Sequence, residues 1–386
     1  MNPIPKRSVL ITAVVLSTVL MVAISQTRVA AQGAARGNDQ KMEDVYLNIK
    51  SLRGQSAELL NPTMVMFEAA LGVGCGHCHD NDAAKRELDS KPQKEIARRM
   101  IEMVTTLNKT SFGGTKKVTC FTCHNGRATP IGVPNVVGEE LPPALGDDYL
   151  NSLPPAPAVP TAVTVNQLFD KYLAAAGGAG AMQKTPSLTA VGTVTQYRVG
   201  RHYPAQQIEI VSKAPGMQLI TTKAGQNDNL VAYGGNGAWA KAGNGAPRDL
   251  RKAEADATKL DDAYNLPVQL KQMLLEPKLE RSQVIKGREV YVISGHTQNL
   301  PKVTAFFEKE SGMLARLVYE IDTPFGVYPT QIEYSDYRDV GGRKVPHAWV
   351  NSQVRNRSFT WVMQTVRATP ADDSKFARPA TATAAR

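Results

Sequence analysis

Cys75-Gly76-His77-Cys78-His79 and Cys120-Phe121-Thr122-Cys123-His124 are the stretches on which the reading of this 386-residue chain turns. Together they use all four of its cysteines, and each pair is followed at once by histidine. C-x-x-C-H is the attachment pattern for covalent haem: two thiols add to the porphyrin edge and the adjacent imidazole reaches the iron from one side. Zinc knuckles also use paired C-x-x-C, but at a shorter separation than the 41 residues between Cys78 and Cys120. Cys75, Cys78, Cys120 and Cys123 are therefore expected to attach two covalent c-type haems, with His79 and His124 as iron ligands. No cysteine is left over for a disulfide.

Each iron has a second face. A methionine thioether, soft and partial to ferrous iron, is a common ligand where a haem only passes electrons. Met64 lies eleven residues before Cys75, on a helix expected to open at Asn61-Pro62 and close at Gly72. The turn Gly72-Val73-Gly74 would fold the first motif back beside it. Met66 is the rival, but two residues on it points to roughly the opposite side of the helix. For the second haem, Met100 and Met103 share a helix face, and Met103 is preferred for its place near Asn108 and the loop to Cys120. Methionine is also ordinary packing material on apolar helix faces. His77 reads as an exposed side chain, and His202, His296 and His347 as surface or strand histidines.

Working outward, Lys6 and Arg7 precede an apolar run from Val9 to Ile24, and Val29-Ala30-Ala31 offers small residues for cleavage. Residues 1–31 are expected to be a cleaved export signal, which places the chain in the periplasm, soluble or peripherally attached to a membrane. Residues 33–127 read as an α-helical dihaem cytochrome c domain. It has helical stretches at Met42 to Leu52, from Asn61, and from Ser90-Lys91-Pro92 to about Asn108. Residues 128–162 hold eight prolines and read as a linker. Residues 163–372 read as a mostly antiparallel β domain with one or two helices. These are an amphipathic helix around Leu168, Tyr172 and Leu173, and a segment from Glu254 to Leu275 broken or restarted at Pro267. Hairpins are expected about Ser311-Gly312 and Gly341-Gly342. Residues 373–386 read as a disordered tail. The fold class is thus multidomain, with a helical haem domain, a linker and a half-barrel-like β domain.

The formal charge of +10 is uneven. Residues 33–127 carry 14 basic and 11 acidic groups, the linker carries four acids, and most of the surplus falls in the C-terminal half. Aromatics make up 6% of the chain, too few for a base-stacking platform, and no basic stripe suggests nucleic acid. A basic face toward anionic lipid or an acidic partner is the milder inference.

The runs Met64-Val65-Met66-Phe67, Leu71-Gly72-Val73-Gly74-Cys75 to His79-Asp80, Ala97-Arg98-Arg99-Met100-Ile101-Glu102-Met103 to Leu107-Asn108, and Thr119 to Gly126 resemble the photosynthetic reaction-centre cytochrome c subunit family. The resemblance covers roughly residues 40–130. It implies a helix-borne methionine ahead of each motif that caps the iron, and service to a membrane-bound complex. The chain departs from that family in having two motifs where reaction-centre members carry four haems, and in continuing into a β domain. Glu310-Ser311-Gly312-Met313-Leu314 and Tyr334-Ser335-Asp336-Tyr337-Arg338 resemble the outer-membrane lipoprotein-sorting half-barrel, which implies an apolar cavity.

Three functions follow as expectations. The first is a periplasmic electron-transfer cytochrome with redox protein partners. The second is a haem-containing binding protein whose β domain holds a lipid or other apolar ligand. The third is a haem enzyme with one open coordination site; no acid–base constellation near the motifs supports it, so a non-enzymatic carrier is preferred.

Overall fold

The computed structural model describes residues 40–130 and 158–379, except 226, 235–236, 251 and 354–356. The expected signal, most of the proline-rich linker and residues 380–386 lie outside the described residues. The chain divides into two compact units at Ala57/Glu58.

In the first unit, helix α1 is one turn, Met42–Val45. The expected helix to Leu52 does not continue, because Asn48 takes a left-handed φ of 57° and turns the chain. The Glu43 carboxylate then closes the loop by accepting from the Gly54 backbone N–H at 3.0 and 3.1 Å.

The second unit holds both motifs and the sheet. Helix α2 spans Leu60–Leu71 and ends at Gly72, whose φ of 66° gives the left-handed cap that glycine adopts without strain. A 3₁₀ turn over Ala57–Leu59 feeds it, so Asn61-Pro62 sit inside the first turn rather than ahead of it. Proline is tolerated there because the N–H it lacks has no intrahelical acceptor. Helix α3 spans Pro92–Ser111, three residues past the expected end. Asn108 is not its stop: its side chain brackets Val118, donating to the carbonyl at 2.7 Å and accepting from the N–H at 3.0 Å. Helix α4 is the second motif itself, Cys120–His124.

From Val165 the chain builds α5 (Val165–Ala175) and α6 (Gly178–Lys184). Strands β1 (Ser187–Arg198), β2 (Arg201–His202), β3 (Gln206–Lys213), β4 (Met217–Thr222), β5 (Asn229–Gly234), β6 (Gly237–Lys241) and β7 (Arg248–Leu250) follow. Helices α7 (Lys252–Leu260) and α8 (Leu266–Met273) interrupt. The sheet resumes with β8 (Leu275–Leu279), β9 (Gln283–Ile285), β10 (Arg288–His296), β11 (Lys302–Glu308), β12 (Leu314–Thr323), β13 (Gly326–Val340), β14 (Arg343–Gln353) and β15 (Arg357–Ala368). All lie in one antiparallel sheet, ordered β7-β6-β5-β4-β3-β1-β15-β14-β13-β12-β11-β10-β8, with β2 beside β1 and β9 beside β10. The first and last strands, β1 and β15, pair in its middle.

Helices α5, α7 and α8 pack on the sheet through Leu168, Phe169, Tyr172, Leu260, Leu266 and Leu270, which meet inward residues such as Leu188, Ile210, Phe307 and Trp349. Four helices thus accompany the sheet where one or two are expected. Pro267 lies in the first turn of α8, so it restarts the helix and does not break it. The break is the segment Asp261 to Asn265, held by the fully buried Asp262, which accepts from Tyr233 Oη at 2.5 Å and Asn265 Nδ2 at 2.7 Å. The expected tail is partly built: Asp373–Phe376 forms a 3₁₀ turn, Phe376 is buried, and its carbonyl accepts from Trp239 Nε1 at 2.9 Å. A cavity of about 50 Å³ lies between α7–α8 and the sheet, lined among others by Asp261, Tyr264, Trp349 and Trp361. It is smaller than the roughly 150 Å³ that admits a benzene ring.

Candidate functional site

The first motif folds as a 3₁₀ turn, Cys75–His77, closed by His79 N–H to the Cys75 carbonyl at 2.9 Å. His79 Nδ1 lies 2.8 Å from the Arg86 carbonyl oxygen. A carbonyl can only accept, so Nδ1 carries a proton and Nε2 is the ring nitrogen left for another partner. Lys94 fixes that acceptor: its ammonium donates to the carbonyls of Arg86, Glu87 and Leu88 at 3.0, 2.7 and 2.9 Å.

The second motif repeats the device in α-helical form. Thr119 and Thr122 cap α4, with Thr119 N–H donating to Thr122 Oγ1 at 3.0 Å and Thr122 N–H to the Thr119 carbonyl at 3.1 Å. Asn125 ends the helix with a φ of 44°. The chain then brings the Arg127 carbonyl to 2.9 Å from His124 Nδ1. Again Nε2 is the ring nitrogen left for another partner, as an iron-ligating histidine needs.

The two motifs are tied through backbone. Gly126 N–H donates to the Ala70 carbonyl of α2 at 2.9 Å. A Cβ on Gly72 would fall 2.1 Å from the Gly126 oxygen, so only glycine permits this approach.

Met64 is half-buried on α2. Met66 is buried against Val65 and Tyr328, as the helical offset requires, and its thioether is committed to packing. On α3, Ile96, Met100, Met103 and Leu107 form an exposed apolar stripe, with Met103 49% and Met100 37% exposed. Both side chains reach solvent, and the stripe offers an apolar wall for a planar ring. Val104 turns inward with Ile101 and the buried Arg98. The Arg98 guanidinium is held by Asp89 and Glu95 at 2.8 Å each.

All four cysteines are free thiols, and Cys123 is exposed. Burial pushes the Cys78 and Cys120 thiols above the ordinary range. Among the described residues no three His, Cys, Asp or Glu side chains converge as a metal cluster would require.

Sequence reasoning misses what the sheet brings here. The tip of the β12–β13 hairpin, Thr323 to Gly326, docks on α2 and on the segment that leads into the second motif. Phe325 packs on Phe67 with ring centroids 5.4 Å apart. Lys116 donates to Asp322 Oδ1 at 2.7 Å and to the Thr323 carbonyl at 2.6 Å. A Cβ on Gly326 would lie 2.8 Å from Thr119 Cγ2 and 3.3 Å from Met66 Cε. Because Phe325 is buried, Phe325→Ala is expected to cost about 3–4 kcal/mol in urea unfolding. A loss under about 1 kcal/mol would show that the tip is not packed into this site.

Glu68, in the interior of α2, is the other surprise. Its carboxylate pairs with Arg198 of β1 and lies 4.0 Å from Arg357 of β15. Arg198 Nη2 lies 3.0 Å from Cys75 Sγ. The arginines are 123 and 282 residues beyond Cys75, and nothing local in sequence marks them.

Parts of the chain are similar to known proteins. Residues 9–184 match the family model described as photosynthetic reaction centre cytochrome C subunit. A photosynthetic reaction center cytochrome c subunit of Rubrivivax gelatinosus is 34% identical over 110 residues, which is 28% of this chain and 29% of that protein. Cytochrome c-554 of Chloroflexus aurantiacus is 32% identical over 116 residues, 28% of this chain and 25% of that protein. The chain therefore spans under a third of the length of these relatives. A LolA superfamily protein from Nitrosomonas europaea aligns in structure over 56% of this chain and 98% of its own, with a TM-score of 0.42 and 11% identity. The helical part of the chain, both C-x-x-C-H motifs included, thus matches the photosynthetic reaction centre cytochrome C subunit family, and the strands from Ser187 onward lie outside that match.

Proposed function

We propose that this chain is an exported c-type cytochrome that carries two covalent haems and passes electrons between redox partners. The observation that carries the reading is the shared arrangement of His79 and His124: each donates Nδ1–H to a carbonyl and leaves Nε2 as the ring nitrogen for another partner, next to a cysteine pair. Neutral imidazole oriented through its other nitrogen is how proteins prepare an axial histidine. The family match over residues 9–184 supports it.

In this reading Cys75 with Cys78, and Cys120 with Cys123, hold the two groups as thioethers. His79 and His124 each supply one iron ligand. Met64 would supply a further iron ligand at the first site, since Met66 packs against Val65 and Tyr328. Met103 would do so at the second, with Met100 as the alternative on the same stripe. Bound haem supplies one-electron chemistry at iron, and the chain sets its ligands, orientation and surroundings. The partners are redox proteins, a membrane-bound complex among them, and the place of work is the periplasm. Among the described residues no helix is long and apolar enough to cross a membrane.

The test is covalent haem content after export in a host that matures c-type cytochromes. A pyridine haemochrome assay is expected to give two haems per chain. Cys75→Ala/Cys78→Ala and Cys120→Ala/Cys123→Ala are each expected to give one. A wild-type chain without covalent haem overturns the reading.

A further inference from the structure

Arg198 and Arg357 are direct cross-strand partners at the end of the β1–β15 pair. Like charges placed opposite each other on a sheet repel, so this position needs compensation. Glu68 supplies part of it from α2, through two bonds from Arg198 and a longer approach to Arg357. Two guanidiniums against one carboxylate leave one positive charge over. Neither arginine is free in water: their side chains are 24% and 21% exposed. Among the described residues Arg357 Nε is buried without a hydrogen-bond acceptor. A buried donor left unpaired is costly, and such sites in native proteins call for an explanation. The surplus also lies where it matters, since Arg198 Nη2 touches Cys75 Sγ. The second motif is bordered differently: its Cys123 is exposed, the chain just after it bonds to α2 through Gly126 and Ala70, and Thr119 just before it meets the hairpin tip.

We infer that the Arg198–Arg357 pair is an electrostatic part of the first haem-attachment site, contributed by the sheet, and that it favours the reduced state of the haem held by Cys75 and Cys78. This rests on the haem reading above. A positive charge in a poorly solvated place stabilises the extra electron of the reduced state. Placed about 10 Å away at an effective dielectric near 20, one unit charge shifts the oxidised-to-reduced ratio roughly tenfold. The sheet is then a positioning and tuning element of one haem, and both arginines act through charge, not by ligation.

The experiment is a spectroelectrochemical titration of full-length chains that each retain one haem. In the Cys120→Ala/Cys123→Ala background, where only the first haem titrates, Arg357→Gln and Arg198→Gln are each expected to lower the midpoint. The ratio at a fixed potential should move roughly tenfold toward oxidised. Arg357→Lys, which keeps the charge, is expected to stay near the parent. Glu68→Gln is expected to shift the midpoint the other way. In the Cys75→Ala/Cys78→Ala background the same arginine changes are expected to leave the second haem unmoved. Opposite signs for arginine and glutamate changes, with rescue by lysine, are a pattern that mere loosening of the fold does not produce. If both arginine-to-glutamine chains carry the haem with an unshifted midpoint, or if both haems shift alike, the inference fails while the haem reading stands. If the parent carries no covalent haem, the haem reading itself fails.

Discussion

Gly72→Ala is expected to lose about 3 kcal/mol or more and to separate the second motif from the first. Two costs add. Alanine at a φ of 66° is disfavoured by about 1–2 kcal/mol. Its Cβ would also stand 2.1 Å from the Gly126 carbonyl oxygen, a distance real atoms do not tolerate. The neighbour is backbone, so no side chain can swing aside. The chain after α4 must lift away, and the bond from Gly126 to the Ala70 carbonyl goes with it. Gly113→Ala is the matched control: its φ is 60°, but nothing lies within 4 Å of the added carbon. Thermal unfolding should show the control losing only the backbone cost and Gly72→Ala clearly more. Equal losses would mean that the approach of Gly126 to α2 contributes nothing to stability.

The second large effect is a dependence on pH. Asp261 faces the cavity, and burial pushes its carboxyl up to about 7 from the ordinary 3.8; the Tyr319 hydroxyl, donating at 2.9 Å, only partly offsets this. Between pH ~4 and ~7 the folded chain holds a proton that the unfolded chain has released. The unfolded state then binds fewer protons, so stability falls as pH rises through this window and levels off above it. Three units at about 1.4 kcal/mol each set an upper figure of about 4 kcal/mol. Asp261→Asn keeps an acceptor for Tyr319 and removes the charge. Urea unfolding is expected to find it more stable than the parent by about 2–4 kcal/mol at pH 8 and within about 1 kcal/mol of it at pH 4.5. A parent that gains stability from pH 5 to 8 while the variant does not would reverse the assignment.

Chemistry written into a few neighbouring residues is readable in this sequence. The motifs, the Gly72 cap and the Gly341-Gly342 hairpin, with φ of 63° and 85°, all declare themselves locally. Strands β10 to β15 are legible because apolar and polar residues alternate between turn signals. Strands β3 to β7 escape because they are short and several present half-buried residues on both faces, which blurs the period of two. Asp261-Asp262 look like a polar stretch of helix, yet they form a buried joint whose partners, Tyr233 and Tyr319, come from strands far along the chain. At the site, cysteines and histidines announce a cofactor, while Phe325, Arg198 and Arg357 arrive through sheet topology. Met100 and Met103 stay undivided for a physical reason: residues three apart on a helix share a face, and here the face is open to both.

The carbonyls that orient His79 and His124 come from within the same short segments, seven and three residues downstream. Each attachment sequence therefore brings along the means to aim its own ring. Copying or deleting such a cassette asks nothing of the distant strands, which gives a simple route by which related chains could gain or lose haems in whole steps. Redox tuning does not travel in the same way. A cassette moved to another protein would keep its ligand geometry and leave behind the pair of arginines, so its potential would be reset by whatever new surface it met.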